Sequence, residues 1–345
     1  MTTPSDSSSL LAIHRSGRLT RAHVERFACE LASYHESAPG QREAPAAAGM
    51  SYSGQVGLIL RSVELRDGQM SLRPPSNAAG ASGDRSPSGL RDVACVMLEL
   101  ALLGDDLLSH FFLATWLEQS GSFAALGTLG AELAREASLL VRSRSDVDPS
   151  AVKRALSFAR EHARSDRRRS LLITHGPSGS GKTTLATSLA GLLGAVLVRS
   201  DAELMRCKRQ PELGAPSSHL ERLETLAKQS VRAGWTVIVE GCFLSRLHRE
   251  HFRGLARALG VPFAILSCAA SVAIVRERLN RRRAFGSLFH GEDASEEWVE
   301  QRLQLQLQNA DPLARDERAR TLQVDTGSQV DAPRVAQALR ERLGQ

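Results

Sequence analysis

Ser170-Leu-Leu-Ile-Thr-His175-Gly176-Pro177-Ser178-Gly179-Ser180-Gly181-Lys182-Thr183-Thr184-Leu-Ala-Thr-Ser-Leu-Ala190 is the stretch on which the reading of this 345-residue chain turns. A short apolar run with β-branched content predicts a strand over Leu171–Thr174. A GxxxxGK[ST] pattern follows over Gly176–Thr183, and a helical run comes after it, which is the context this pattern requires. Glycines let the backbone curl until successive N–H groups point at one anion, and the positive end of the next helix faces the same spot. Gly176, Pro177, Ser178, Gly179, Ser180, Gly181, Lys182, Thr183 and Thr184 are therefore candidate nucleotide-binding residues. Lys182 would reach the β- and γ-phosphates, and Thr183 would place its hydroxyl on Mg²⁺. The chain has only four lysines, Lys153, Lys182, Lys208 and Lys228. One of them falling in this slot makes coincidence a poor account.

Outward from the loop, strands are predicted at Ala195–Val198, Thr236–Val239, Phe263–Ser267 and Thr321–Val324, separated by helical stretches. That alternation predicts a parallel sheet covered on both faces. In such sheets ligands bind beyond the carboxyl ends of the strands, so acids at those ends are candidates. Asp201, after the second strand, reads as the group that orients or deprotonates an acceptor hydroxyl, or as a helix cap. Glu240 ends the third strand and reads as a Mg²⁺ ligand with Thr183, as a base, or as an ordinary strand-end acid. Arg276, Arg278, Arg281, Arg282 and Arg283 crowd one predicted helix. Arg278 and Arg282, one turn apart, are the candidates for phosphate contact in a lid, the others forming a solvated face. His248 and His251 lack an acidic or cysteine partner at ligand spacing and read as a surface pair. Gln304–Gln308 reads as a polar helix segment without chemical implication.

Upstream the texture differs. A helix is predicted over Leu19–His35, a hairpin around Asp67-Gly68 within Val56–Leu72, two or three apolar helices over Val93–Val141, and a further helix over Ala151–Ala163. Segments 38–52 and 74–89, rich in Pro, Gly, Ala and Ser, read as loops. The charged run Arg164–Arg169 is the expected linker between domains spanning 1–163 and 170–345. The five cysteines are single and without CxxC spacing, as in a reducing compartment. No signal-peptide core and no membrane-length apolar run is present, so a cytoplasmic protein is expected. Hydrophobic residues make up 42% and charged residues 24%, which excludes a wholly disordered or collagen-like chain. A net charge of +6 is mild and almost entirely arginine, and only 4% of residues are aromatic, which disfavours base-stacking recognition of single strands.

Residues 170–345 resemble the P-loop small-molecule and polynucleotide kinases. Their segments GGLSGSGKST, RSDVERKR and VVVDATFL appear here as HGPSGSGKTT, RSDAELMR and VIVEGCFL. The resemblance implies a sheet of strand order 2-3-1-4-5, ATP as donor, Asp201 as the base that activates the acceptor, and Arg206 as an acceptor-side contact. Glu240 and Cys242 depart from the Asp and Thr of those relatives. The N-terminal part resembles the aminoglycoside phosphotransferase-like domain often joined to such kinases, through LTRAHVERFACELASYHESAPG and DVACVMLELALLGDDLLSHFFLATWLEQSG. Its catalytic loop HGDLHxxN would fall on Ser53–Leu60, with Gln55 and Leu60 where the base and the metal-binding Asn belong. Residues 1–152 hold no lysine to grip a nucleotide, so this domain is expected to be truncated and catalytically silent.

The expected reaction is transfer of the γ-phosphate of ATP, with Mg²⁺, to a hydroxyl of a small molecule. The alternatives are a polynucleotide 5′-kinase and a nucleotide-binding regulatory NTPase without acceptor. Within the enzyme class, a toxin-like kinase of sugar nucleotides would use a similar loop and aspartate. The acceptor and the oligomeric state are not written in any motif.

Overall fold

Almost every residue of Leu90–Leu102 lacks solvent contact, from Leu90 and Asp92 through Ala101, and a helix buried on every face must be surrounded. In the computed structural model, which describes residues 8–37, 63–66, 69–72, 89–143, 148–164, 168–209, 219–284 and 295–344, it is. The chain divides into two compact units, Met1–Arg167 and Arg168–Gln345.

The first unit contains β1 (Ser8–Ser9), α1 (Leu10–Arg15), α2 (Arg21–Ser37), β2 (Val63–Arg66), β3 (Gln69–Leu72), α3 (Leu90–Leu102), α4 (Asp106–Ser120), α5 (Leu126–Ser143) and α6 (Pro149–Ala163). The central helix α3 packs against α4, α5 and α6, while α2 packs on α4. β2 and β3 pair antiparallel with Arg66 opposite Gln69, the register of the expected hairpin, and β1 adds to β2. Buried charge is paired here. His35 Nε2 lies 3.1 Å from Asp92 Oδ2, and Glu136 takes Arg91 at 2.9 Å and Arg135 at 3.0 Å. Segment 38–52, Ser53–Leu60 with Gln55 and Leu60, the turn residues Asp67-Gly68, positions 74–88 of the second loop and 165–167 of the charged run lie outside the described residues.

The second unit runs β4 (Leu171–His175), α7 (Lys182–Leu193), β5 (Val196–Arg199), α8 (Ser200–Arg209), α9 (His219–Arg232), β6 (Val237–Glu240), α10 (Arg246–Ala258), β7 (Phe263–Ala269), α11 (Val272–Ala284), α12 (Glu296–Gln308), α13 (Arg315–Arg318), β8 (Thr321–Asp325) and α14 (Ala332–Leu343). The sheet order is β5-β6-β4-β7-β8, with every pair parallel. Counted within the unit this is 2-3-1-4-5, as the resemblance implies. Leu171, Leu172 and Ile173 are fully buried, the continuous apolar run of a strand covered on both faces. Leu172, Leu197, Ile238 and Leu266 meet Leu185 and Leu189 of α7 and Leu339 of α14 in one cluster. The alternating residues point to the other face, and α9 packs on β5 and β6, α10 on β4 and β7. Parallel strands all end on the same edge. The segments after β4, β5, β6 and β8 are thereby brought together there. Among the described residues no helix is long and apolar enough to cross a membrane.

Candidate active site

At the end of the central strand β4 the chain turns through Gly176–Gly181 into α7. Gly176 has φ +136°, and a Cβ there would stand 2.5 Å from the Cys268 carbonyl oxygen and 2.7 Å from Ser180 Oγ. Only glycine fits that approach. Gly179 and Gly181 also have positive φ, at +81° and +84°. Lys182 is 6% exposed, and its ammonium donates to the Pro177 carbonyl at 2.7 Å. Thr326, after β8, donates its hydroxyl to the Ser180 carbonyl at 2.6 Å. Arg278 of α11 donates to the Thr326 carbonyl at 2.6 Å and reaches the Gly179 carbonyl at 3.5 Å.

Glu240 ends β6 at 3% exposure, and its Oε1 accepts the Thr183 hydroxyl at 3.0 Å. Its Oε2 is buried without a hydrogen bond, 3.8 Å from Arg199 Nε. A hydroxyl and a carboxylate with one unsatisfied oxygen form the hard oxygen donor set that Mg²⁺ takes alongside phosphate oxygens. The residues present fit that ion. Among the described residues no group of three or more His, Cys, Asp or Glu side chains is arranged as a metal centre of its own. His251 of the histidine pair instead bonds Glu224 at 2.8 Å.

The segment after β6 is held tightly. Thr174 Oγ1 donates to the Gly241 carbonyl at 2.6 Å and accepts the Gly241 N–H at 3.0 Å. Gly176 N–H donates to the Cys242 carbonyl at 3.0 Å. Phe243 sits in the left-handed region at φ +41°, unfavourable for a side chain with a Cβ. Arg249 of α10, 1% exposed, spans the turn. It donates to the carbonyls of Phe243 at 3.2 Å, Leu244 at 2.7 Å and Pro312 at 3.3 Å, and forks onto Glu317 at 2.7 and 3.0 Å. Burial alone pushes the Glu317 carboxyl up, but the Arg249 bonds and the Ala314 N–H bring it below its ordinary range. His175, beneath the loop, bonds Ser267 at 3.0 Å. Burial first, then the nearby Arg249 and Lys182 charges, push its pKa down to about 4.

On the β5 side, Asp201 stands half-buried in the first turn of α8. It lies two residues past Arg199, which is in register with Glu240. His219, opening α9, approaches Ser200 Oγ at 2.9 Å. Burial lowers its pKa, against the raising effect of Asp201 and Glu203. Arg206 is turned into the fold, where Glu203 takes it at 3.1 Å and Arg222 of α9 at 3.1 Å.

The arginine helix carries two kinds of contact. Arg276 forks onto Glu300 at 2.6 and 2.9 Å, Arg281 bonds Glu277, and Arg283 bonds Glu296 at 2.8 Å. Arg278, Arg281 and Arg282 line a cavity of about 550 Å³ with Gly181, Thr184, Ser188 and Thr326. The loop, Lys182, Thr183, Glu240, Arg278 and Arg282 thus share one edge of the sheet, whereas Arg206 is engaged elsewhere.

Sequence reasoning missed five residues held around this edge: Thr326, Arg249, its partner Glu317, His219 and Gln306. The last corrects the reading of Gln304–Gln308 as chemically silent, because Gln306 bonds both the N–H and the hydroxyl of Ser178. No periodic or spacing signal marks any of them.

Residues 171–313 match the family described as an AAA domain. No curated protein matches the chain. The chain is similar to several solved structures. One is a candidate kinase from Chloroflexus aurantiacus, at 26% identity over 51% of this chain and 100% of that one, TM-score 0.41. A gluconokinase from Sinorhizobium meliloti 1021 shares 22% identity over 52% of this chain and 91% of its own, TM-score 0.34. The APS kinase of Mycobacterium tuberculosis, solved with AMPPNP and APS, shares 18% over 52% and 99%, TM-score 0.35.

Proposed function

We propose that the Arg168–Gln345 unit is a phosphotransferase that moves the γ-phosphate of ATP, with Mg²⁺, to a hydroxyl of a small molecule. The observation that carries this reading is the junction of β4 and α7. There a glycine loop, Lys182 and Thr183 open a helix directly opposite the Glu240 carboxylate. Mg²⁺, when bound with the nucleotide, would screen the phosphate charge.

The chain's own residues do the rest. Loop N–H groups and the α7 N-terminus hold the phosphates, and Lys182 exchanges the Pro177 carbonyl for them. Thr183 and Glu240 are the side chains that would hold the ion. Asp201 takes the proton of the acceptor hydroxyl as its oxygen bonds to the γ-phosphorus and the bond to the β-phosphate oxygen breaks, leaving ADP. Arg278 and Arg282 face the charge that spreads over the transferring group. Arg206, ion-paired with Glu203, keeps the acceptor-side role that the resemblance implies only through the packing of α8.

The same proposal takes residues 1–163 as a mostly helical, catalytically silent relative of aminoglycoside phosphotransferase-like domains, 164–169 as a linker and 170–345 as the kinase domain, in a cytoplasmic protein. The absence of lysine from residues 1–152 supports the silent reading.

The test is transfer from γ-labelled ATP–Mg²⁺ to a pooled panel of sugars, nucleosides, antibiotics and 5′-hydroxyl oligonucleotides, with Asp201→Asn in parallel. A labelled small-molecule product, reduced about 100-fold in the variant while ADP binding is retained, is the expected result. Label on the oligonucleotides alone would make the protein a polynucleotide kinase. ATP hydrolysis indifferent to every acceptor would make it a regulatory NTPase.

A further inference from the structure

Gln306 reaches the phosphate loop from α12, 128 positions along the chain from its partner. Its carboxamide oxygen accepts the Ser178 N–H at 2.9 Å, and its amide nitrogen donates to Ser178 Oγ at 3.0 Å. Only one orientation of the amide satisfies both. Helix α12 is well seated for the task, since Val299 and Leu303 pack on Val275 and Leu279 of α11 in a buried cluster.

The consequence lies in a single peptide unit. The carbonyl end of Pro177–Ser178 takes the Lys182 ammonium at 2.7 Å and the Ser180 N–H at 3.2 Å, while its N–H end is held by Gln306. Lys182 must let go of that carbonyl to serve a phosphate. The peptide then loses its charged tether at the carbonyl end, where the Ser180 N–H remains. Gln306 is the side chain that still fixes it. Because Gln306 donates to Ser178 Oγ, the hydroxyl proton is also directed away from the carboxamide. The Cys242 sulfur stands 3.7 Å from the same oxygen.

We propose that Gln306 is a positioning residue of the phosphate loop, holding the Pro177–Ser178 peptide and the Ser178 hydroxyl in place when Lys182 turns to the phosphates. This rests on the phosphate-loop reading above. A residue acting this way supports the β-phosphate and leaves the nucleoside end alone. Its contribution also depends on Lys182, because both grip one peptide.

The experiment compares AMP and ADP affinities by calorimetry for the full chain, Gln306→Met, Lys182→Ala and the double variant, with folding followed by circular dichroism. Gln306→Met keeps the side-chain length and removes both hydrogen bonds. It should weaken ADP about tenfold while AMP changes less than about twofold, and in the Lys182→Ala background the same substitution should cost less than about threefold. Unchanged ADP affinity, an equal loss for AMP and ADP, or full additivity with Lys182→Ala would overturn the proposal. If Gln306→Met does not fold, Ser178→Ala removes the hydroxyl half of the clamp. It should weaken ADP about threefold without affecting AMP, and no change in ADP would count against the clamp. A wild-type chain that binds no ADP removes the phosphate-loop reading and this proposal together; wild-type binding matched by Gln306→Met removes this proposal alone.

Discussion

At the end of β4 the site is made by backbone, whereas at the ends of β5 and β6 it is made by side chains gathered from several helices. The phosphate loop needs glycines, one lysine and the start of a helix, all within nine consecutive residues. Beyond β5 and β6 the contacts come from separate helices, His219 of α9 meeting Ser200 of α8 and Arg249 of α10 meeting Glu317 of α13. Backbone cradles look alike whatever sits beside them. Side-chain constellations change with one substitution, which is why the first half announces its ligand and the second does not name its acceptor.

The largest effect should come from Lys182→Ala. Removing the loop's only cation should lower phosphoryl transfer about 10³-fold while the melting temperature stays within a few degrees, because the ammonium bonds a single carbonyl in the fold. Full transfer by a folded Lys182→Ala chain would break the division between the halves. Glu317→Gln sharpens it from the other side. Arg249 would keep its three carbonyls and lose its buried counter-charge, so stability to urea should fall by about 3 kcal/mol. The Phe243 turn would loosen with it. ADP binding without Mg²⁺ should fall much less than stability in the same variant, since the turn meets the nucleotide cradle only at Cys242, through the Gly176 N–H and beside the Ser178 hydroxyl.

A smaller effect is expected at His175. An unfolded histidine takes up its proton near pH 6.5, and the folded one only near about 4. Between those values the unfolded chain holds more protons, so stability rises with pH. The contribution is complete above pH 6.5 and is lost as pH falls toward 4. His175→Gln should therefore lose less stability than the wild type between pH 7 and pH 4, by about 2 kcal/mol after allowing for the partial exposure of the ring. Parallel pH-melting curves for the two proteins would remove this assignment.

What could be read in advance follows the same division. Four of the five strands, β4 to β7, announce themselves as short apolar runs between helical stretches, because a strand covered on both faces has no polar alternation to confuse it; the edge strand β8 alternates Leu322 and Val324 with polar residues. Glu240 was visible because it ends one of those runs. Gln306 was not, because its partner is a backbone N–H that any sequence supplies. Nothing in the sequence sets Arg249 and Glu317 apart from the charges around them, and only tertiary packing buries both. Arg206 shows the converse. The resemblance marked it as an acceptor contact, and the fold engages it with Glu203, a partner that its spacing of three residues along α8 already offered.

The buried ammonium of Lys182 also bears on chemical labelling. Lys153 and Lys208 are exposed and Lys228 is half-exposed, whereas Lys182 is 6% exposed and engaged with Pro177. Amine-directed reagents should modify the first three and spare the fourth. The yield at Lys182 relative to the other lysines, read by mass spectrometry, then becomes an internal gauge of how tightly the loop is closed, usable before any acceptor is known.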